Sequence, residues 1–271
     1  MMSLLWLRVA LIFYGVGLAY ALLALSRRGE WLTRIVAPCI GLGFAFHLVS
    51  IVEDAASAGH LLGSVHRSES LLAFLILAVF LLFYSGYRTL APGMFVFPMV
   101  FVLALTAAIG QDPPQFSSPL LRSGWIILHV ALVFAGYGAL FFSFAASVIY
   151  ILQERSLKSK RPLGILERLP SLDTMDKLGY RSLVLGFPFM TLGLIAGAVI
   201  AQVRFGPVYF QDPKIVLSVL MWVVYVVLLY SRWHAGWRGR RAAYLVSAIF
   251  VVALGAWAAN YFSGVHRFIA Q

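Results

Sequence analysis

Residues 70–87, SLLAFLILAVFLLFYSGY, form an unbroken apolar run that contains no charged side chain. About 20 such residues cross the ~30 Å hydrocarbon core of a bilayer, since a helix rises about 1.5 Å per residue. Seven further apolar runs occupy residues 3–26, 34–52, 92–110, 124–152, 182–203, 214–232 and 241–262. Because backbone polar groups inside lipid must be paired within their own segment, the runs predict an all-α polytopic membrane protein of about eight transmembrane helices.

The composition excludes a water-soluble globule. Of the 271 residues, 62% are hydrophobic and only 11% are charged, whereas soluble domains carry about 25% charged residues. The long runs also differ from the alternating segments of about ten residues that build membrane β-barrels. The single cysteine, Cys39, lies inside a run, so neither an internal disulfide nor a CxxC pair is expected. Arg27 and Arg28 follow the first run, which indicates an anchor rather than a cleaved signal peptide.

The basic residues are divided unequally between the two ends of the predicted helices. The loops after runs one, three, five and seven hold Arg27, Arg28, Arg34, Arg88, Arg155, Lys158, Lys160, Arg161, Arg168, Lys177, Arg181, Arg232, Arg238, Arg240 and Arg241. The opposite loops hold only Arg67, Arg122, Arg204, Lys214 and Arg267. By the positive-inside rule the basic face is cytoplasmic, and both termini are extracytoplasmic. The net charge of +11 is therefore a topology signal and requires no nucleic-acid partner.

The longest loop, near residues 153–181, carries an apolar stripe among its charges. Leu166, Leu169, Leu172, Met175 and Leu178 recur at three-residue steps. This pattern predicts one short interfacial helix on the cytoplasmic face, beginning near Pro170 and Ser171. We expect residues 1–271 to form a single membrane domain, with a four-helix part at 1–110 and a second at 124–271.

A polar loop at residues 204–214, RFGPVYFQDPK, separates two apolar runs, and a histidine lies beyond each neighbouring run. With the predicted topology, His129 and His266 share the outer face with this loop. Phe205, Tyr209 and Phe210 would then form an aromatic surface between two imidazoles, which suits heme, since neutral histidine is a common axial ligand of heme iron.

Simpler interpretations stay open for several of these side chains. A histidine at an interface also hydrogen-bonds a carbonyl or a lipid headgroup, and this is the interpretation favoured for His60, His66 and His234. Asp212 and Pro213 have the residue types of an N-cap and a first helical position. An ionisable residue inside a span, as His47 is, counts as a functional candidate by default.

Several short motifs recur in order between residues 125 and 267. They are 125–129 (WIILH), 172–173 (LD), 179–181 (GYR), 186–188 (GFP), 191–193 (TLG), 197–198 (GA), 205–206 (FG), 212–214 (DPK), 236–240 (GWRGR) with Ala243, and 260–266 (NYFSGVH). This ordered set, over half of the chain, resembles the cytochrome c assembly family of heme-handling membrane proteins, which includes the CcsA, ResC and HemX types. More loosely, His47, the Gly59 and His60 pair, and Glu69 are similar to the family's N-terminal motifs.

The resemblance implies that the chain binds heme b at the extracytoplasmic face of the bacterial cytoplasmic membrane and delivers or presents it for cytochrome c maturation or heme homeostasis. It implies His129 and His266 as axial ligands of the iron. It further implies a set of heme-binding residues, namely Phe205, Tyr209, Phe210, Asp212, Lys214 and His47. The implied partners are the lipid bilayer, a ResB-type assembly subunit and apocytochrome c. The chain would then be the heme-presenting subunit of a cytochrome c heme lyase complex, with no catalysis of its own.

Two departures from the family pattern affect these expectations. Phe205, Tyr209 and Gln211 stand where the tryptophans of the family's WWD loop are expected, and Tyr230 stands where a second membrane histidine is expected. In this the chain resembles the stand-alone HemX-like branch with a degenerate WWD loop. The alternative function is a heme-free membrane scaffold or transporter subunit that kept the fold and lost the ligand.

Overall fold

The computed structural model describes residues 2–24, 32–58, 64–110, 123–159, 169–206 and 211–259. These residues form eight α-helices and, within those ranges, no strand. In chain order the helices are α1 (Met2–Ala24), α2 (Leu32–Ala58), α3 (Val65–Tyr87), α4 (Gly93–Ile109), α5 (Gly124–Ser159), α6 (Leu172–Phe205), α7 (Pro213–His234) and α8 (Arg240–Ala258). The predicted all-α class is confirmed.

Seven of these helices are long and apolar enough to cross a membrane, and α4, with 17 residues, is a shorter apolar helix. Helix α4 packs against α1 and α3, and Phe97 on it is buried and lies edge-on to the ring of Phe80 from α3. The outward faces of the long helices carry exposed Leu, Ile and Val side chains, as lipid contact requires. The protein is therefore a polytopic membrane protein.

The predicted short interfacial helix is wrong as a separate element. Ser171 does begin a helix, because its side chain accepts a hydrogen bond from the backbone N–H of Thr174. That helix runs on without interruption into the membrane span as the 34 residues of α6. The apolar stripe does not lie on a lipid surface: Met175 and Leu178 are fully buried in the protein core, and Leu169 packs against that core. Leu166 lies outside the described residues.

Helices α5 and α6 pack antiparallel at very short range. A Cβ atom added at Gly193 would come within 2.8 Å of Val133, and one added at Gly186 would come within 2.8 Å of Ala139. Small residues of this kind let helix backbones approach in lipid, where no hydrophobic effect drives association. The hydroxyl groups of Ser143 and Ser182 cross the same interface, donating to the carbonyl oxygens of Gly179 and Ala139 at 2.9 and 2.7 Å.

Helix α5 belongs to both clusters of buried side chains. The first cluster takes residues from α1 to α6, including Tyr14, Phe80 and Phe142. The second takes residues from α5 to α8, including Leu140 and Tyr225. The phenol of Tyr225 donates to the carbonyl oxygen of Leu183 at 2.8 Å, which ties α7 to α6 within the second cluster. The division into parts at 1–110 and 124–271 stays a prediction.

A buried ion pair closes the end of the bundle that carries most basic residues, which we call the basic end. Arg232, near the end of α7, donates through both terminal nitrogens to the two oxygens of Asp176 on α6, at 3.1 and 2.7 Å. The backbone N–H of Gly239, just before α8, donates to the same carboxylate at 3.0 Å. The side chains are only 7% and 15% exposed, so α6, α7 and α8 are joined through one charged group.

Replacing Asp176 by Asn should therefore lower the stability of the protein strongly. The change leaves the Arg232 guanidinium buried without its counter-charge, which costs about 3–5 kcal/mol when one partner of a buried pair is removed. The free energy of unfolding, measured by denaturant titration in detergent micelles, checks this value.

Asp173 provides the matched control, because it pairs with Lys177 one turn apart on the same helix but with both side chains well exposed. Asp173→Asn should cost no more than about 1 kcal/mol. Equal losses in the two variants would show that the Asp176 pair is no more than a surface contact.

Candidate functional site

The start of α5, the end of α6 and the start of α7 lie at the end of the bundle opposite the basic end. His129 is on the second turn of α5, Gly193 and Gly197 are on the last turns of α6, and Asp212 and Lys214 are at the start of α7. The positive charge of Lys214 is close enough to His129 to act on it electrostatically. Three of the residues implied as heme-binding, His129, Asp212 and Lys214, are thus brought to one region.

His129 makes a short hydrogen bond across the interface between α5 and α6. Its Nδ1 lies 2.7 Å from the carbonyl oxygen of Gly193. A carbonyl oxygen only accepts, so Nδ1 must carry the proton, and in the neutral ring Nε2 must carry the lone pair. A ring nitrogen held to a backbone carbonyl in this way orients the other nitrogen as a metal ligand. The geometry thus gives His129 the tautomer that an axial ligand needs.

Gly197 determines how closely the imidazole of His129 lies against α6. A Cβ atom at this position would come within 2.5 Å of Cε1 and 2.9 Å of Nδ1 of His129. The ring therefore occupies space that only a glycine leaves open. Gly193 and Gly197 are thus close-packing residues of α6, and the side chains packed against them include the candidate ligand itself.

Asp212 acts as the N-cap of α7, with Pro213 at the first helical position. Its carboxylate accepts a hydrogen bond from the backbone N–H of Lys214 at 3.0 Å, and the residue is buried. The structural interpretation of Asp212 is therefore confirmed: the DPK motif begins a helix. Because the cap fixes where α7 starts, it also fixes where the side chain of Lys214 leaves the backbone.

Four members of the implied set, all aromatic or histidine residues, fall at or beyond the edges of the described ranges. His266, Tyr209 and Phe210 lie outside the described residues, and for Phe205 the structure describes the backbone, as the last residue of α6, but not the side chain. Their assignment stays a prediction.

His47 is held at both ring nitrogens. It is completely buried, with Nδ1 3.0 Å from the Tyr14 hydroxyl on α1 and Nε2 2.8 Å from the Ser70 hydroxyl on α3. The ring of Phe74 meets it edge-on. The imidazole thus joins α1, α2 and α3, and it has no nitrogen left for a ligand in this arrangement.

Tyr230 does not face the region of His129. It lies near the end of α7 at the basic end, 61% exposed, with its ring 4.5 Å from that of His234. Tyr230 and His234 are therefore an aromatic pair at a helix end, where amphipathic rings are common at membrane interfaces.

A family model described as cytochrome C assembly protein matches residues 5–266.

The chain belongs to the cytochrome c assembly protein family.

Among its relatives, a cytochrome c biogenesis protein CcsA of Prochlorococcus marinus subsp. pastoris is 29% identical over 282 residues, covering 94% of this chain and 89% of that one. A CcsA of Guillardia theta is 30% identical over 205 residues, covering 68% of each chain. A solved structure of the cytochrome c heme lyase CcmF superimposes with a TM-score of 0.67 at 16% identity. The alignment covers 98% of this chain and 49% of CcmF. Because the sequence identity is only 16%, this likeness concerns the fold alone.

Two contacts of this cytochrome c assembly protein had no signal in the sequence. The first is the Gly193 carbonyl that fixes the tautomer of His129, 64 residues away along the chain. The second is the pair of hydroxyl groups around His47, which come from two different helices. In each case the partner is a group that many other positions could supply, and only the packing of the helices selects it.

Gly197→Ala should displace the imidazole of His129 and destabilise the packing of α5 against α6. Overpacking a close interface costs about 1–3 kcal/mol, which denaturant titration in micelles measures. Gly41→Ala is the control, since nothing lies within 4 Å of the Cβ position there; it should stabilise α2 by up to about 1 kcal/mol. If both glycines tolerate alanine equally, the tight contact with His129 is absent.

Ser70→Ala should destabilise the protein by about 1–3 kcal/mol, because it leaves Nε2 of the buried His47 without its partner. The same unfolding measurement applies. Ser85→Ala on the same helix removes only an exposed hydroxyl bonded to its own turn, so this control should change stability little. A Ser70→Ala variant with an unchanged free energy of unfolding would mean that His47 does not need the hydroxyl.

Proposed function

We propose that this cytochrome c assembly protein binds heme b at its extracytoplasmic face and delivers or presents it for cytochrome c maturation or heme homeostasis. One observation carries the proposal: the Nδ1 of His129 donates to the Gly193 carbonyl, which leaves Nε2 as the basic nitrogen. Because its ring packs against Gly197, the histidine is also oriented before any ligand binds. Orientation in advance reduces the entropy lost on binding.

The donor set fits heme better than a bare metal ion. Among the described residues no group of three or more histidine, cysteine or acidic side chains could hold a metal, whereas heme iron needs only one or two axial donors because the macrocycle supplies the rest. His129 would be one axial ligand and His266 the other. When bound, heme would supply an iron centre of which only the axial positions belong to the protein.

The neighbouring residues would hold the rest of the ligand. Phe205, Tyr209 and Phe210 would cover the apolar macrocycle, whose burial favours binding. The ammonium group of Lys214, close to His129, would pair with a propionate through a charge-assisted hydrogen bond. Asp212 would contribute indirectly, since its role as the N-cap of α7 positions Lys214.

The charge distribution of the sequence and the names of the relatives support a side of the membrane and a set of partners for the proposed role. The basic end is predicted to face the cytoplasm, so the His129 region would face outward from a bacterial cytoplasmic membrane. Relatives named as cytochrome c biogenesis proteins support a role in that process. A ResB-type subunit and apocytochrome c would be the partners, and thioether formation would belong to that complex. Whether the chain belongs to the HemX-like branch stays a prediction.

A heme-free scaffold or transporter subunit is the second candidate, and the geometry of His47 favours it. Both nitrogens of that ring are already bonded, and Tyr230 lies at the basic end rather than opposite His47. A bis-histidine heme site within the membrane is therefore unsupported in the described part of the chain. The two candidates differ in whether the purified protein carries heme.

His129→Ala and His266→Ala should each reduce the heme b that copurifies with the protein to about a tenth or less, by loss of an axial ligand. The Soret band and the pyridine hemochrome spectrum, divided by protein concentration, measure the heme. A heme precursor is added during expression, so that the supply of heme does not limit the heme content of the wild type.

His234→Ala is the matched control, because His234 lies at the opposite end of the bundle in an exposed pair with Tyr230. It should keep the wild-type heme content. A wild-type protein that stays colourless would support the heme-free candidate, and equal heme loss in all three variants would remove the assignment of His129.

A further inference from the structure

Two arginines from different helices meet at one tyrosine on the basic end. Arg155, on the last turns of α5, donates from Nη2 to the hydroxyl oxygen of Tyr244 at 3.2 Å. Arg240, the first residue of α8, donates from Nη2 to the same oxygen at 3.4 Å and lies over the Tyr244 ring. All three side chains are exposed. We call them the arginine–tyrosine cluster.

The cluster concentrates positive charge that neighbouring carboxylates do not neutralise. Neither guanidinium forms an ion pair with a carboxylate of the described ranges. Glu154 acts on Arg240 at longer range, but its carboxylate is bonded to Lys158 at 2.7 Å. Arg238 and Arg241 are exposed beside Arg240 and add to the positive charge. Two guanidinium groups that share a single neutral acceptor repel each other, so an anion between them would remove an unfavourable interaction.

The donors that remain match a phosphate group. Each guanidinium has five N–H donors in a planar fork, of which the tyrosine oxygen takes one. Arginine forks bind phosphate oxygens bidentately with charge-assisted hydrogen bonds. The Tyr244 hydroxyl, which accepts from both arginines, keeps its own proton to donate to a third oxygen. The three side chains thus present convergent donors from two helices that pack on each other.

We infer that the arginine–tyrosine cluster binds the phosphate of an anionic phospholipid in the leaflet at the basic end. The cluster lies on the last turns of one spanning helix and the first turns of another, where a bilayer places its headgroups. Tyrosine is enriched at that depth, and basic side chains there attract anionic lipids. A lipid held between α5 and α8 would secure the C-terminal helix against the core of the bundle. This inference does not depend on heme binding.

Native mass spectrometry of the full chain in detergent tests the inference, with phosphatidylglycerol and phosphatidylcholine as the two lipid probes. The wild type should retain phosphatidylglycerol in preference to phosphatidylcholine. Arg155→Gln and Arg240→Gln should each lower the retained phosphatidylglycerol by about ten-fold, the effect of losing a hydrogen bond to a charged group. Tyr244→Phe should weaken retention without a change in net charge.

Arg34→Gln is the matched control, since Arg34 is exposed in the first turn of α2 on the same predicted face and its loss removes the same charge. It should retain phosphatidylglycerol like the wild type. Equal loss in Arg34→Gln and Arg155→Gln would overturn the site in favour of general surface electrostatics. The variants' elution profiles and melting temperatures without lipid show that they are folded.

A second experiment distinguishes a lipid headgroup from free phosphate as the ligand. Thermal unfolding of delipidated protein is followed with inorganic phosphate alone and with phosphatidylglycerol alone. A rise in melting temperature with the lipid only, absent in Arg155→Gln, supports a lipid headgroup. An equal rise with inorganic phosphate, without further stabilisation by the lipid, would overturn the assignment to a lipid.

Discussion

Helices α5 and α6 approach so closely that neither has room for larger side chains at Gly136, Gly186 or Gly193. In lipid, this close contact takes the place that hydrophobic burial has in water. Helix α6 of this pair takes part in the features at both ends of the bundle. At one end it brings the Gly193 carbonyl to His129, and at the other the first turns of α6 present Asp176 to Arg232. A shift of α6 along α5 by one turn would break the hydrogen bond between His129 and Gly193.

Two histidines within this bundle illustrate how a membrane interior assigns different roles to one residue type. His47 has a hydroxyl at each ring nitrogen and cross-links three helices, as a polar group buried away from water must find partners. His129 has one nitrogen bonded to a backbone carbonyl, which leaves the other as a base. The difference lies in the neighbours, and it makes His129 the stronger candidate for ligand binding.

The apolar runs predicted the number and approximate ends of the helices because crossing a bilayer demands length and hydrophobicity together. They failed at the start of α6, where Asp173, Asp176, Lys177 and Arg181 resemble a solvated loop. Asp176 is neutralised by Arg232, 56 residues away, and such a pairing leaves no local pattern. For the candidate site, the sequence supplied His129 and the cap at Asp212, whereas the partner carbonyl of His129 follows only from tertiary packing.

The length of α5 determines how far this helix extends beyond the hydrocarbon core of the membrane. Its 36 residues extend about 54 Å at the helical rise, and even at a tilt of about 40° they would span about 41 Å along the bilayer normal. The hydrocarbon core is only ~30 Å thick, so about three turns of α5 must lie outside it even at this tilt. At that tilt, with its start in the headgroups at the His129 end, the last turns of α5, which carry Arg155, lie in the headgroup layer of the opposite leaflet.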